Sequence, residues 1–121
     1  MPRNGYTLVG SLLVLVVGAS ALLGSGSRSR AANVAVAIVE PSTDPQSWRY
    51  EPATLTVALG DTIVWTNEGV VPHTVTSTNN VFDSGNMDHD ETFTWAPTAA
   101  GTYTYICLYH PWMVGTVVVT P

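Results

Sequence analysis

The chain has 121 residues, a single cysteine and a formal net charge of −5. That length holds one domain, the lone cysteine excludes an internal disulfide, and the acidic balance argues against a nucleic-acid partner, which would need a basic footprint. The imbalance is concentrated after the N-terminus: residues 33–121 contain all nine acidic side chains against Arg49 and no lysine, a formal −8. Such a surface either attracts a basic protein partner through long-range steering or serves solubility in a salty environment.

Residues 1–32 read as a segment apart from the domain at 33–121. Arg3 precedes an apolar run from Leu8 to Leu23, which gives way to the Gly/Ser/Arg stretch Gly24–Arg30. A positive start, an apolar middle and small residues beyond are the layout of an export signal. Ser29 and Ala31 suit cleavage after Ala31, and Ala19-Ser20-Ala21 offers a second position. The competing reading is a retained membrane anchor through residues 8–23. That run, about 16 residues, is short of the roughly 20 that span a bilayer, and the Gly/Ser stretch would make a flexible tether. Both readings place the domain outside the cytoplasm, in a periplasm or on the outer face of the cell membrane.

From Asn33 onward, short runs rich in Val, Thr, Trp and Tyr alternate with Gly- and Pro-bearing breaks, which is an all-β pattern. Asn33–Glu40 is the first expected strand, followed by a loop over Pro41–Gln46. In Tyr50–Leu59, the alternation of Leu55, Val57 and Leu59 with Thr56 and Ala58 predicts a strand with one buried face. Gly60-Asp61 turns the chain into a strand at Thr62–Asn67, which Glu68-Gly69 ends. His73–Ser77 is expected to be extended, and Asn79-Asn80 turns into Val81–Asp83. Beyond the charged loop Asp88–Glu91 come strands at Thr92–Trp95, Thr102–Tyr105 and Gly115–Thr120. About eight short strands at this spacing predict a two-sheet β-sandwich. The sequence shows no internal repeat, and its glycines have no phosphate-loop or dinucleotide-binding spacing.

The chemistry is concentrated in Tyr103–Met113. Cys107, His110 and Met113 follow one another at three-residue intervals, and His73 stands upstream in Val71-Pro72-His73-Thr74-Val75. Taken singly, each residue has an ordinary explanation: a small buried hydrophobe, a surface imidazole, a core-filling thioether. As a set, a thiolate, two imidazoles and a thioether are soft ligands that select copper, and a trigonal His2Cys arrangement with a weak axial Met is the pattern of a blue-copper centre. We therefore expect His73, Cys107, His110 and Met113 to hold one copper ion. Met87 is an alternative axial ligand, and His89 reads as a solvated residue of an acidic loop. Zinc fits less well, since structural zinc sites draw four Cys or His ligands. A catalytic Cys–His pair lacks an orienting third group, so no catalytic residue is assigned and the protein is not expected to be an enzyme.

On these motifs, residues 48–120 resemble the cupredoxins, the small blue copper proteins, in the style of amicyanin and plastocyanin. The features carrying the resemblance are Tyr50-Glu51-Pro52, Val57–Asn67, Pro72-His73, Phe82-Asp83-Ser84-Gly85, Ala100–Cys107 and the ligand loop. The two residues between His110 and Met113 are similar to the short amicyanin-type loop. The resemblance implies an eight-stranded Greek-key sandwich with one type 1 copper cycling between Cu(II) and Cu(I) to shuttle single electrons. It implies that Asn67 ties the first histidine loop to the cysteine loop. It also implies that His110 presents its edge through an apolar patch, for which Pro72, Pro111, Trp112 and Val70 are the available residues. The implied partners are a redox protein donor and acceptor, basic where they dock, and a monomeric state is expected. Ile106 and Leu108 flank the cysteine where a multicopper oxidase would have histidines, and a binuclear copper centre would need a second cysteine. The alternative function is an extracytoplasmic copper carrier that delivers metal rather than electrons; a metal-free adhesion sandwich would leave the ligand spacing unexplained.

Overall fold

The computed structural model describes residues 30–121, so residues 1–29 of the export segment expected at 1–32, including its apolar run at 8–23, lie outside the described residues. Among the described residues no helix is long and apolar enough to cross a membrane. Eight strands run in chain order among the described residues: β1 (Asn33–Val39), β2 (Arg49–Glu51), β3 (Thr54–Ala58), β4 (Thr62–Asn67), β5 (Thr76–Ser77), β6 (Thr92–Trp95), β7 (Gly101–Ile106) and β8 (Val114–Thr120). They form two four-stranded sheets, ordered β2-β1-β4-β6 and β3-β8-β7-β5. The pairs β1–β4 and β3–β8 are parallel and the remainder antiparallel. This is the expected all-β sandwich.

Period-two patterning accounts for which side chains meet between the sheets. In β4, Ile63, Trp65 and Asn67 are buried while Thr62, Val64 and Thr66 are partly exposed; in β8, Gly115, Val117 and Val119 are buried. Trp65 sits at the centre, its ring centroid 5.8 Å from Phe82, 5.6 Å from Phe93 and 5.4 Å from Tyr105. Each fully buried large apolar side chain is worth roughly 1.5–3 kcal/mol, so this cluster, rather than any single bond, holds the sheets together. Gly115 lies against the Tyr105 ring so closely that a β-carbon there would overlap it.

Three expectations need correction. The run Tyr50–Leu59 is two strands, because β2 pairs with β1 in one sheet and β3 with β8 in the other. Pro52, which has no N–H to give a ladder, stands where the chain changes sheets. Leu59 is 40% exposed: β3 ends at Ala58, and Leu59 only continues the edge through its N–H to the Thr120 carbonyl (2.9 Å), at the end of the sandwich. The run His73–Ser77 is regular strand only at Thr76–Ser77; His73 and Thr76 instead form single antiparallel bridges, with Met87 and Asp83.

Candidate metal centre

Cys107 follows the last residue of β7, and the loop it opens returns to β8 at Val114. His110 N–H donates to the Cys107 carbonyl (3.2 Å) and Met113 N–H to the His110 carbonyl (2.8 Å), so each three-residue interval in Cys-x2-His-x2-Met is one turn of chain. Cys107 N–H donates to the Met113 carbonyl (3.2 Å), which closes the loop on itself. Cys107 and Met113 are buried at 0% and 1% exposure, and the His110 ring is half-buried.

His73 approaches from the other side. Its backbone exchanges two hydrogen bonds with Met87, 3.0 and 2.9 Å, and the hydroxyl of buried Tyr50 donates to the neighbouring Thr74 carbonyl (2.6 Å). Cys107 Sγ lies 3.8 Å from His73 Nδ1 and 3.5 Å from His110 Nδ1. One donor atom from each of His73, Cys107 and His110 falls within 4.8 Å of the others. Two imidazoles and a thiol converging at that spacing fit a small ion with a preference for nitrogen and sulfur.

Thr74 and Glu40 complete the surroundings, and neither was singled out by sequence. Thr74 N–H donates to Cys107 Sγ (3.4 Å), and its Oγ1 accepts from Leu108 N–H (2.8 Å), so this residue joins the first histidine segment to the cysteine loop. The resemblance assigned that junction to Asn67. Asn67 instead donates from Nδ2 to the carbonyls of Val71 and Met87, both at 2.9 Å, and accepts from Gly69 N–H (2.9 Å). It braces the 67–71 turn against the Met87 segment, because it ends β4 on the side of that turn.

The electrostatics favour a metal-ready thiol. Burial alone would lift Cys107 above the ordinary thiol range, but the His73 ring and the N–H groups of Thr74, Tyr109 and His110 outweigh it and hold its pKa down. Burial opposes a charge on His73, yet its contacts with Cys107 and Glu40 carry its pKa upward. For Glu40, burial is again outweighed, by the Val70 N–H, the His73 ring and the Val71 N–H, and its pKa falls below the usual carboxylate range. His110 is lowered by burial and by the charge of His73, with Glu40 working in the opposite direction.

Around His110 the surface is aromatic and apolar. Trp48 stands edge-on to His110 and His73, with centroids at 5.0 and 5.8 Å, and Trp112 lies 5.3 Å from His110. Trp112 Nε1 donates to the Pro45 carbonyl (2.9 Å), which fastens the ligand loop to the 41–48 loop. Pro72, Pro111 and Val70 are exposed, Val70 by 80%. Met87 is buried at 2% exposure, whereas the exposed His89 bonds through Nδ1 to the Gly69 carbonyl (2.7 Å).

The family described as copper binding proteins, plastocyanin/azurin family, matches residues 37–120. The chain belongs to this family. Its cofactor is one type 1 copper ion. The chain is 36% identical over 81 residues to the amicyanin of Paracoccus denitrificans, covering 63% of this chain and 62% of that protein. It is 34% identical over 104 residues to the chloroplastic plastocyanin of Tetradesmus obliquus, covering 75% and 72% of the two chains. It thus spans a little over three fifths of the amicyanin's length and more of the plastocyanin's. Among solved structures, a purple cupredoxin from Nitrosopumilus maritimus superposes with a TM-score of 0.64 at 30% identity, over 72% of this chain and 99% of that one. A reduced amicyanin in which one tryptophan is replaced by tyrosine gives a TM-score of 0.63 at 32% identity, over 72% and 81%.

Proposed function

We propose that this cupredoxin is an exported single-electron carrier, not an enzyme, whose copper would be held by His73 Nδ1, Cys107 Sγ, His110 Nδ1 and the Met113 thioether. The convergence of His73, Cys107 and His110 within 4.8 Å is the observation that carries this reading. Copper, when bound, supplies exchange of one electron between Cu(II) and Cu(I). The chain's own contribution is to fix the donors before the metal arrives. The lowered Cys107 pKa favours the thiolate, strand ends and the closed 107–113 loop limit rearrangement between oxidation states, and burial keeps water from His73 and Cys107. His110, half-exposed among Trp48, Tyr109 and Trp112, is the edge through which electrons enter and leave. The donor and acceptor are redox proteins with a basic docking face, met by a monomer of this chain; residues 1–32 direct export or, through 8–23, anchor the domain at 33–121.

The test is the colour of the oxidised, copper-loaded protein, which should be intensely blue from the thiolate–copper transition. Cys107→Ser should abolish the blue, because a hydroxyl is a hard and weakly acidic ligand; a variant that stays blue refutes the ligand set. A wild-type protein that binds copper without colour would favour metal delivery over electron transfer.

A further inference from the structure

Glu40 lies one residue beyond β1, far in sequence from every proposed ligand, and it is bound more fully than a surface acid would be. Its side chain is 8% exposed beside the fully buried His73 ring. Oε1 accepts from Val70 N–H at 2.9 Å, while Oε2 accepts from Val71 N–H at 3.1 Å and stands 2.7 Å from His73 Nε2. Glu68 N–H donates to the Ile38 carbonyl (3.0 Å), which keeps the end of β1 alongside the turn that carries these amides. Gly69 makes room: a β-carbon there would occupy the space of the Glu40 carboxylate.

We propose that Glu40 is a positioning residue that fixes His73 as its Nε2–H tautomer, aims Nδ1 at the thiolate, and thereby lowers the reduction potential of the bound copper. This rests on the electron-carrier reading above, and it adds a residue and a direction to it. The two ring nitrogens of a histidine are assigned by the partner each one meets. Here a carboxylate, which only accepts, meets Nε2, so the ring proton belongs there and Nδ1 is left as the free donor atom 3.8 Å from Cys107 Sγ. A carboxylate behind a ligating imidazole raises its basicity and holds its orientation. A more basic donor with a negative charge behind it stabilises the doubly charged ion more than the singly charged one, so the oxidised state gains and the potential falls. Among the described residues no carboxylate hydrogen-bonds the His110 ring, which meets Trp48, Tyr109 and Trp112.

The test uses two variants that remove the carboxylate from His73 by different routes. Glu40→Gln keeps the shape and removes the charge. Gly69→Ala keeps the charge and fills its place. Both should bind copper and stay blue while the ratio of Cu(II) to Cu(I) affinity falls roughly tenfold, a rise in potential of about 59 mV for one electron. Nitrogen-15 NMR of the metal-free protein reads the tautomer directly: the wild type should show a protonated Nε2 on His73, and both variants should show that signal shifted or exchange-broadened. A potential unchanged in both variants, or a neutral wild-type His73 whose proton sits on Nδ1 rather than Nε2, overturns the proposal. The NMR measurement needs no copper, so a wild type that fails to turn blue would sink the electron-carrier reading while the tautomer still decides the role of Glu40 at the ring.

Discussion

At the residue scale, two buried thioethers, Met113 and Met87, are candidates for a fourth ligand. Met113 closes the ligand loop through both its backbone groups, and Met87 lies in the segment bridged to His73. If Met113 supplies the fourth ligand, Met113→Gln replaces soft sulfur by a hard amide oxygen, which favours the oxidised ion. Copper should stay bound and the potential should drop by about 59 mV or more, a tenfold or larger change in the affinity ratio, as voltammetry would record. An unchanged potential would transfer the role to Met87. The loop that carries Cys107, His110 and Met113 was legible because Cys-x2-His-x2-Met is local, and each interval became a turn. Glu40 and Thr74 were not legible. A single acid at a strand end and a threonine in a Val/Thr run carry no pattern, and only the fold brings them to the sulfur and the ring.

At the scale of elements, Gly115 shows how the second sheet determines where the ligand loop begins. β7 and β8 pair across Tyr105 and Gly115, and the Tyr105 ring covers Gly115 while packing on Trp65 and Tyr50. Gly115→Ala should therefore overpack the core by roughly 1–3 kcal/mol, read as a lower midpoint in urea unfolding of the metal-free protein. Wild-type stability in that variant would mean that the ring can swing away without cost. The strands with strict alternation or high β-branched content, β1, β4, β6, β7 and β8, were readable to within a residue or two. The run split by Pro52 was not, because the alternation of Leu55, Val57 and Leu59 does not reveal a change of sheet before it. Nor was the irregular stretch around His73, whose backbone pairs with the distant Met87 and so leaves no local periodicity.

For the whole molecule, the acidic surface is the feature that reaches beyond contact distance. Asp44, Glu51, Glu68, Asp83, Asp88, Asp90 and Glu91 are all exposed. A basic redox partner should therefore exchange electrons faster at low salt, with a stopped-flow rate falling about tenfold as the screening length shrinks from roughly 30 Å at 0.01 M to about 8 Å at 0.15 M. A rate indifferent to salt would assign those carboxylates to solubility instead.

The grip of one carboxylate on two successive amides has a mechanical consequence. Val70, its side chain open to solvent beside the apolar patch, hangs from the same oxygen pair that steadies the imidazole of residue 73. Whatever leans on that valine leans on the glutamate, and through it on the ring. A protein that docked on Val70 would thus touch the turn whose amides hold Glu40, one hydrogen bond away from the His73 ring.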